Sequence, residues 1–307
     1  MIRALAAALV AAAMMAGMQG VPAITHEYAD VNGVRLHYAK SGHGPLIVFL
    51  HGFPEFWYEW KNQLDEFGRD HTAVAPDMRG YNLSSKPTEL SAYAITTLVA
   101  DVHALATELL KTTGGSTFTL VAHDWGGAVA WVFAAMHPTL LDRLVIINAP
   151  HPTVFARELR DNPAQQQASQ YMLMFRAPAA EATLSANNYA ALVNALGISG
   201  EDKDAYLAAW SQPGALTGGL NYYRAAQVGP PRPGDPPPAP LQAPIMVRVP
   251  TLVIWGEKDT ALLTGNLDGL GDYVPTLTIR RIPDATHWVV REKPAEVNRL
   301  IREFLAP

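Results

Sequence analysis

One aspartate stands where the chain is expected to turn sharply from a strand into a helix. In the segment VAHDWGG, Asp124 has small residues two positions before and two positions after it, Ala122 and Gly126. A tight strand–turn–helix elbow needs such small side chains, and it raises the central carboxylate to the end of the sheet, where the helix dipole favours negative charge. Asp124 is therefore a candidate nucleophile, although aspartate here also serves as an ordinary helix cap.

Two later segments supply an acid and a base in the chain order nucleophile, acid, histidine. Asp259 lies in WGEKD, just after an apolar strand, and His287 lies in the loop before the final helix. Asp259 is expected to orient the imidazole of His287, which would act as general base; Glu257 is the substitute acid if the register differs. No His-Glu-x-x-His or comparable spacing occurs, so the sequence predicts no metal site.

The segment HGFPE, residues 51–55, closes a third predicted strand and is expected to supply a backbone donor. In this arrangement an amide from that loop joins the amide after the nucleophile to form an oxyanion hole. The two donors would be the backbone N–H groups of Phe53 and Trp125. The histidines His51, His123 and His151 flank predicted turns, and we interpret them as framework residues.

Strands and helices alternate along most of the chain. Uninterrupted apolar runs such as LIVFL at 46–50 are typical of strands covered on both faces of a parallel sheet. The predicted strands are 34–38, 46–50, 72–75, 118–122, 144–147, 251–255 and 277–282, and the predicted helices are 58–67, 93–110, 127–136 and 295–304. This alternation predicts a mostly parallel central sheet flanked by helices.

The alternation stops between residues 151 and 244. This stretch is predicted to be helical and to return through a proline-rich segment at 229–240, which can join neither a helix nor a central strand. We expect an α/β core formed by 24–150 and 245–307, interrupted by a helical lid at 151–244. The lid would cover the carboxyl ends of the parallel strands, where ligands bind.

Composition excludes several classes of protein. Of 307 residues, 49% are apolar, which fills a large core, and the net charge is −5 with no basic block. A nucleic-acid-binding protein normally concentrates positive charge on one face, so that class is not supported. The chain has no cysteine and no Gly-x-Ser-x-Gly segment, which leaves cysteine and serine nucleophiles without support.

The first 23 residues have the pattern of a secretory signal peptide. Arg3 precedes an apolar run at 4–18, and Val21-Pro22-Ala23 offers small residues at the −3 and −1 positions of a cleavage site. The run is too short for a stable membrane span, which needs about 20 apolar residues. We expect cleavage near Ala23 and export, to a periplasm or the medium; a frayed helical terminus or a lipid-facing anchor is the alternative.

Nearly everything after residue 25 resembles an α/β-hydrolase of the epoxide hydrolase type. The resemblance is carried by HGFPE at 51–55, DMRGY at 77–81, HDWGG at 123–127 and NAPHP at 148–152. It implies the α/β-hydrolase fold with an inserted helical cap, on the Asp-nucleophile branch shared with dehalogenases. Asn82 stands where the family usually has glycine, and because asparagine tolerates a left-handed backbone we expect the turn to survive.

Two lid segments resemble those that supply the family's paired tyrosines. By motif position these would be Tyr171, with Phe175 four residues later, and Tyr223 in the segment NYYR. Tyr222 is expected to be a packing residue. The side chains expected to contact substrate are Phe53, Trp125, Phe175 and Trp288.

A carboxylate nucleophile implies an alkylating substrate, because attack on a saturated carbon gives a simple ester whereas attack on an acyl carbon gives a reactive anhydride. Asp124 would open an epoxide while the Tyr171 and Tyr223 hydroxyls hydrogen-bond the departing oxygen. Water activated by His287 would then hydrolyse the ester to release a vicinal diol. The partner implied is a small-molecule epoxide, with no cofactor; its size and stereochemistry, and whether the chain forms a homodimer, are left open.

A haloalkane or haloacid dehalogenase is the alternative enzyme with the same nucleophile. Phe53 occupies the position where many haloalkane dehalogenases carry an asparagine that binds halide. Haloacid-acting relatives hold the substrate carboxylate with arginines one and four places after the nucleophile, where this chain has Trp125 and Ala128. The third interpretation is a non-catalytic binding protein. The complete set of nucleophile, acid, base and lid tyrosines argues against it.

Overall fold

The computed structural model describes residues 22–232, 234 and 243–306. The predicted signal peptide, apart from its last two residues, and the greater part of the proline-rich segment lie outside these residues. Within the described ranges, no helix has the length and apolarity needed to cross a membrane.

The described residues contain the strands β1 Thr25–Val31, β2 Val34–Ser41, β3 Leu46–Leu50, β4 Thr72–Pro76, β5 Phe118–His123, β6 Leu141–Ile147, β7 Thr251–Gly256 and β8 Leu277–Ile282. They form one sheet in the order β1-β2-β4-β3-β5-β6-β7-β8. The strands β1 and β2 form a hairpin, and β2 also pairs antiparallel with β4, whereas all other neighbours are parallel. The mostly parallel sheet predicted from the sequence is thereby confirmed.

Helices cover both faces of the sheet, which explains the uninterrupted apolar strands. In β3, Ile47 and Phe49 pack into one core cluster and Val48 and Leu50 into the other. The helices of the core are α1 Lys61–Phe67, α2 Ile95–Thr113 and α3 Asp124–Met136, followed after the insertion by α10 Val289–Glu292 and α11 Pro294–Leu305. The first cluster lies under α1 and α11, and the second under α2 and α3.

Within the described part of the segment between β6 and β7, six helices are inserted. They are α4 Pro152–Asp161, α5 Pro163–Ala168, α6 Gln170–Arg176, α7 Ala180–Leu196, α8 Gly200–Trp210 and α9 Ala215–Ala226. Helix α7 is interrupted by non-helical backbone over four residues, Ala186–Tyr189. Helix α9 packs closely on the core, since a Cβ atom on Gly218 would lie 2.2 Å from the carbonyl oxygen of Gly80. The inserted helices α4 to α9 are called the lid below.

The first strand was missed by the sequence analysis. β1 is an edge strand whose residues are exposed or half-buried, so it lacks the apolar run that marks the central strands. A signal was present nevertheless: Asn32 and Gly33, both with positive φ, form the two-residue turn between the paired residues Val31 and Val34. Asn-Gly is the preferred sequence for such a hairpin turn.

Candidate active site

Asp124 sits on the predicted elbow between β5 and α3. Its backbone has a φ of +48°, in the left-handed region, which non-glycine residues rarely adopt. The neighbouring chain leaves no room for larger residues: a Cβ atom on Gly126 would lie 2.3 Å from the carbonyl oxygen of Leu50, and one on Gly52 would lie 2.2 Å from Asp124 Oδ1. The small residues at the elbow are therefore a steric requirement.

The structure brings Asp124, Asp259 and His287 together. His287 Nδ1 lies 2.7 Å from Asp259 Oδ2, and His287 Nε2 lies 3.7 Å from Asp124 Oδ2. Asp259 Oδ1 accepts hydrogen bonds from the amides of Ala261 at 2.8 Å and Leu262 at 2.9 Å. The substitute acid, Glu257, instead pairs with Arg281 at 3.1 Å.

Asp259 and His287 each favour the ionised form of the other. Burial opposes ionisation of Asp259, but the facing imidazole of His287 and several hydrogen bonds outweigh it and lower the pKa of the carboxyl. Burial also disfavours a charged His287, yet Asp259, and beyond it Asp124, raise the pKa of the imidazole to about 9. The charge of Asp259 in particular therefore favours the protonated form of His287 in the resting site.

One of the two expected backbone donors already contacts the candidate nucleophile. The Phe53 amide donates a hydrogen bond to Asp124 Oδ1 at 2.7 Å. The amide of Trp125 belongs to the first turn of α3, directly after Asp124. Since Oδ1 is held by an amide and Oδ2 faces the imidazole of His287, the two carboxylate oxygens have different surroundings.

The two lid tyrosines face the same cavity as Asp124. Tyr171 comes from α6 and Tyr223 from α9, and their ring centroids are 6.4 Å apart. Burial, together with the charge of Asp124, raises the pKa of both hydroxyls well above the usual value, so both stay protonated as hydrogen-bond donors. Tyr222 lies elsewhere: its hydroxyl donates to the carbonyl oxygen of Arg79 at 2.9 Å, as expected of a packing residue.

The cavity has a volume of about 560 Å3, within the usual range for small-molecule sites. Its inner wall carries the candidate nucleophile and base together with aromatic side chains, and its outer wall is polar and exposed at Asn194, Lys258 and Glu292. The inner residues are Phe53, Asp124, Tyr171, Phe175, Tyr223, Asp259, His287 and Trp288.

Trp125 is not among the described residues that line this cavity. Its indole packs edge-on against the rings of Tyr222 and Tyr223, with centroid distances of 5.6 and 5.0 Å. The sequence analysis also missed Leu192 and the lid residues 194–197, which line this cavity, because this stretch carries no motif. Among the residues that the structure describes, no group of three or more His, Asp or Glu side chains is placed to hold a metal ion.

Several residues outside the cavity have the surroundings expected of a framework. His51 is buried; its Nδ1 donates to the carbonyl oxygen of Gly52 at 2.9 Å, and its Nε2 accepts from the Met78 amide at 3.0 Å. Asn82 adopts the left-handed backbone, with a φ of +38°, and its side chain donates to Asp77 at 2.8 Å. The expectation that asparagine preserves this turn is confirmed.

Sequence comparison finds relatives over most of the chain. A family model described as alpha/beta hydrolase fold matches residues 45–294. The AB hydrolase superfamily protein YfhM of Bacillus subtilis is 40% identical over 91% of this chain and 97% of its own length. Epoxide hydrolase 3 of Xenopus tropicalis is 36% identical over 89% of this chain and 75% of its own length.

Structural comparison points to the same group of proteins. An epoxide hydrolase from Bacillus megaterium, solved in complex with an inhibitor, superposes with a TM-score of 0.80 at 37% identity, over 91% of this chain and 99% of the other. A structure from a study of novel epoxide hydrolases in metagenomes from hot environments superposes with a TM-score of 0.82 at 36% identity, over 92% and 99% of the two chains.

Proposed function

This chain belongs to the epoxide hydrolase family of the α/β hydrolases and is a hydrolase, and from that membership we propose that it opens epoxides to vicinal diols through a covalent ester on Asp124. The observation that carries the proposal is one cavity that holds a carboxylate, an imidazole and two tyrosine hydroxyls. An epoxide needs these groups: a nucleophile for carbon, hydrogen-bond donors for the ring oxygen, and a base for the second step.

In the first step, Asp124 Oδ2 attacks a ring carbon. The Phe53 amide already holds Oδ1, so Oδ2 is the oxygen free to form the new bond, and Oδ1 becomes the carbonyl oxygen of the ester. The bond between that carbon and the ring oxygen breaks, and its electron pair stays on the oxygen. Hydrogen bonds from Tyr171 and Tyr223 stabilise the negative charge as it develops.

In the second step, His287 activates water. While Asp124 is a carboxylate, its charge helps to raise the pKa of His287, which keeps the imidazole protonated. Conversion of Asp124 into a neutral ester removes that charge, so the pKa of His287 falls and the proton can pass to the alkoxide or solvent. The neutral imidazole that results is the base required for hydrolysis.

Water then attacks Cγ of Asp124, and negative charge develops on Oδ1. That oxygen lies at the Phe53 amide in the resting structure, so this donor needs no rearrangement. The Trp125 amide is the proposed second donor, and each donor of this kind contributes about 3 kcal/mol to stabilisation of the transition state. Collapse of the tetrahedral intermediate breaks the bond to the alkyl oxygen, which takes up the second proton of the attacking water. The diol is released, Asp124 returns to the carboxylate form, and the first proton of the water remains on His287.

A panel of epoxides and haloalkanes tests the reaction class. Purified protein is offered each compound, and diol and free halide are measured in the same samples. We expect diol from epoxides. Release of halide without diol would overturn the proposal in favour of a dehalogenase, although the phenyl side chain of Phe53 in the cavity wall offers halide no N–H donor.

A further inference from the structure

The second half of helix α7 forms part of the outer wall of the cavity. Residues 190–197, called the wall segment below, follow the interruption of α7 at Ala186–Tyr189. A continuous helix therefore does not tie the wall segment to the first half of α7, and its position depends on contacts of its own. Its cavity-lining residues are Leu192, Asn194, Ala195, Leu196 and Gly197. Both leucines are buried and give this wall an apolar surface.

Arg291 binds the end of the wall segment from the core. Its Nη2 donates to the backbone carbonyl oxygen of Leu196 at 2.9 Å. The last carbonyl groups of a helix have no partner within the helix, and an arginine side chain can supply one. Arg291 belongs to α10, the helix that follows the loop of His287, so the wall segment is held by the part of the core that carries the proposed base.

A buried carboxyl group fixes the same guanidinium. Arg291 Nε donates to Glu55 Oε1 at 3.0 Å, and the side chain of Glu55 is only 1% exposed. The hydroxyl of Tyr206 in α8 donates to the other oxygen of this carboxyl. Because a guanidinium is planar and rigid, its two bonds fix direction as well as distance. The carbonyl of Leu196 is thereby held at a defined position relative to the loop 51–55, which supplies the Phe53 amide.

We propose that Arg291 is a positioning residue that determines substrate specificity: by holding the carbonyl of Leu196 it keeps the wall segment in place, and so decides which substituents of an epoxide the cavity binds. The proposal rests on the proposed hydrolysis of epoxides. A small epoxide needs only the groups that react with its ring. A larger apolar substituent must also lie against Leu192 and Leu196, so only its binding depends on the wall segment.

Two terminal epoxides of different size test this role. Propylene oxide carries a methyl group, and benzyl glycidyl ether carries a long substituent that ends in a phenyl ring. Arg291→Lys keeps a positive charge beside Glu55, but an ammonium is a single point and cannot hold two partners in a fixed fork. We expect kcat/KM for benzyl glycidyl ether to fall about tenfold, the order of effect of a lost contact in an apolar pocket, and kcat/KM for propylene oxide to stay within about twofold. Equal losses for both substrates, or no loss for either, would overturn the proposal.

Arg302→Lys is the matched control. Arg302 Nε donates to Glu66 Oε1 at 3.1 Å, and its Nη2 donates to the backbone carbonyl oxygen of Glu66 at 2.8 Å. It therefore joins a carboxyl group and a carbonyl oxygen, as Arg291 does. Arg302 lies in α11 and is not among the described residues that line the cavity. Both kcat/KM values should stay at the wild-type level in this variant.

A double variant tests whether the effect passes through the wall segment. The guanidinium of Arg291 also lies 5.8 Å from the ring centroid of Trp288, which lines the cavity from another side. If Arg291 acts through Leu196, the loss for benzyl glycidyl ether in Arg291→Lys/Leu196→Ala should be about that of Leu196→Ala alone, since the two changes are then coupled. Losses that multiply would indicate a route through Trp288 and would contradict the proposal.

A second pair of substitutions separates the bond to Leu196 from the charge of Arg291. Arg291→Met alone would leave the buried Glu55 carboxyl without its arginine, which is strongly destabilising, so it is combined with Glu55→Gln. Arg291→Met/Glu55→Gln contains neither charge and still releases Leu196. We expect the same selective loss for benzyl glycidyl ether, and wild-type selectivity in this variant would overturn the proposal.

Hydrogen exchange tests the holding of the wall segment without any substrate. The amides of Gly197 and Ile198 donate to the carbonyl oxygens of Asn194 and Val193 at 3.2 and 3.3 Å, which closes the end of α7. In Arg291→Lys, the peptide that contains these amides should exchange at least about tenfold faster than in wild type or Arg302→Lys, because the helix end opens locally more often. Equal exchange in all three proteins would overturn the proposal, and this result is decisive even if no epoxide is hydrolysed.

Discussion

At the scale of single residues, His287 faces two carboxylates with different tasks. Asp259, 2.7 Å from Nδ1, keeps its charge throughout the proposed cycle and orients the ring. In the same proposed cycle, Asp124, near Nε2, loses its charge when it is alkylated and regains it on hydrolysis. The proposal thereby couples the availability of the base to the progress of the reaction.

Replacing the base should separate the two steps. His287→Gln leaves Asp124 and both lid tyrosines in place, so ring opening should still occur, but no imidazole can activate water. We expect kcat to fall at least about a thousandfold, as loss of general base catalysis allows, and the peptide containing Asp124 to gain the mass of one substrate molecule. The double variant Asp124→Ala/His287→Gln should gain no mass; an adduct on another peptide would contradict the assignment.

Removing the two lid hydroxyls should stop ring opening. In Tyr171→Phe/Tyr223→Phe the cavity keeps its shape, but the departing oxygen loses two hydrogen bonds, each worth about 2 kcal/mol when the partner is charged. The rate of ester formation in a single turnover should fall at least about a hundredfold. Tyr222→Phe is the matched control, because its hydroxyl bonds to Arg79; unchanged turnover in the double variant would show that other groups stabilise the oxygen.

At the scale of secondary-structure elements, the lid also holds the loop that carries Asp259. Gln165 in α5 is fully buried. Its Nε2 donates to the carbonyl oxygen of Ala261 at 2.8 Å, and its Oε1 accepts from the Leu263 amide at 2.9 Å. Ala261 is also one of the two residues whose amides hold Asp259, and Leu263 directly follows the second, Leu262. One buried amide thus links a lid helix to the loop that orients the proposed acid.

Gln165→Leu should therefore affect both folding and activity. It leaves several buried polar groups without partners, at about 1–3 kcal/mol each, so the free energy of unfolding should fall by about 3 kcal/mol in a denaturant titration. The loop at Asp259 should also loosen, which lowers kcat more than it changes KM. Gln167→Leu, an exposed position on the same helix, should change neither quantity, and equal effects of the two substitutions would argue against this role of Gln165.

The sequence predicted the strands that are buried along their whole length and the residues that lie in motifs. The central strands were predicted because both of their faces are covered, and the positions of Asp124 and Asp259 follow from the ends of such strands. His287 was found from its place in the chain order, after the edge strand β8. Gln165 was not found, because it meets its partners from a distant part of the chain and does not lie in a motif. The interruption of α7 at Ala186–Tyr189 also left no signal that we recognised.

At the scale of the whole molecule, lid and core are joined at points around the cavity. Trp210 of α8 donates to the carbonyl oxygen of Pro54 at 2.7 Å, and Tyr206 of the same helix bonds to the Glu55 carboxyl. Both contacts lie beside Phe53, which supplies a proposed oxyanion donor. The lid is therefore attached to the loop before the cavity as well as to the loop at Asp259.

The leader pattern belongs to this scale too, and we propose that the chain is exported after cleavage near Ala23. The support is the sequence pattern at the N-terminus, a charged start, a short apolar run and small residues before the cleavage site. N-terminal sequencing of protein recovered from the periplasm or the medium of the producing cells should begin near Ile24. Protein found only inside the cells and still beginning at Met1 would contradict export.

The left-handed backbone conformation of Asp124 connects the proposed reactivity of this residue with the thermal stability of the protein. A residue with a side chain loses about 1 kcal/mol in that conformation, whereas glycine adopts it freely. Asp124→Gly should therefore give an inactive protein that melts at a slightly higher temperature than the active one. The fold therefore contains an unfavourable backbone conformation at the residue proposed to be the nucleophile. The remaining interactions of the protein must be stable enough to maintain that conformation.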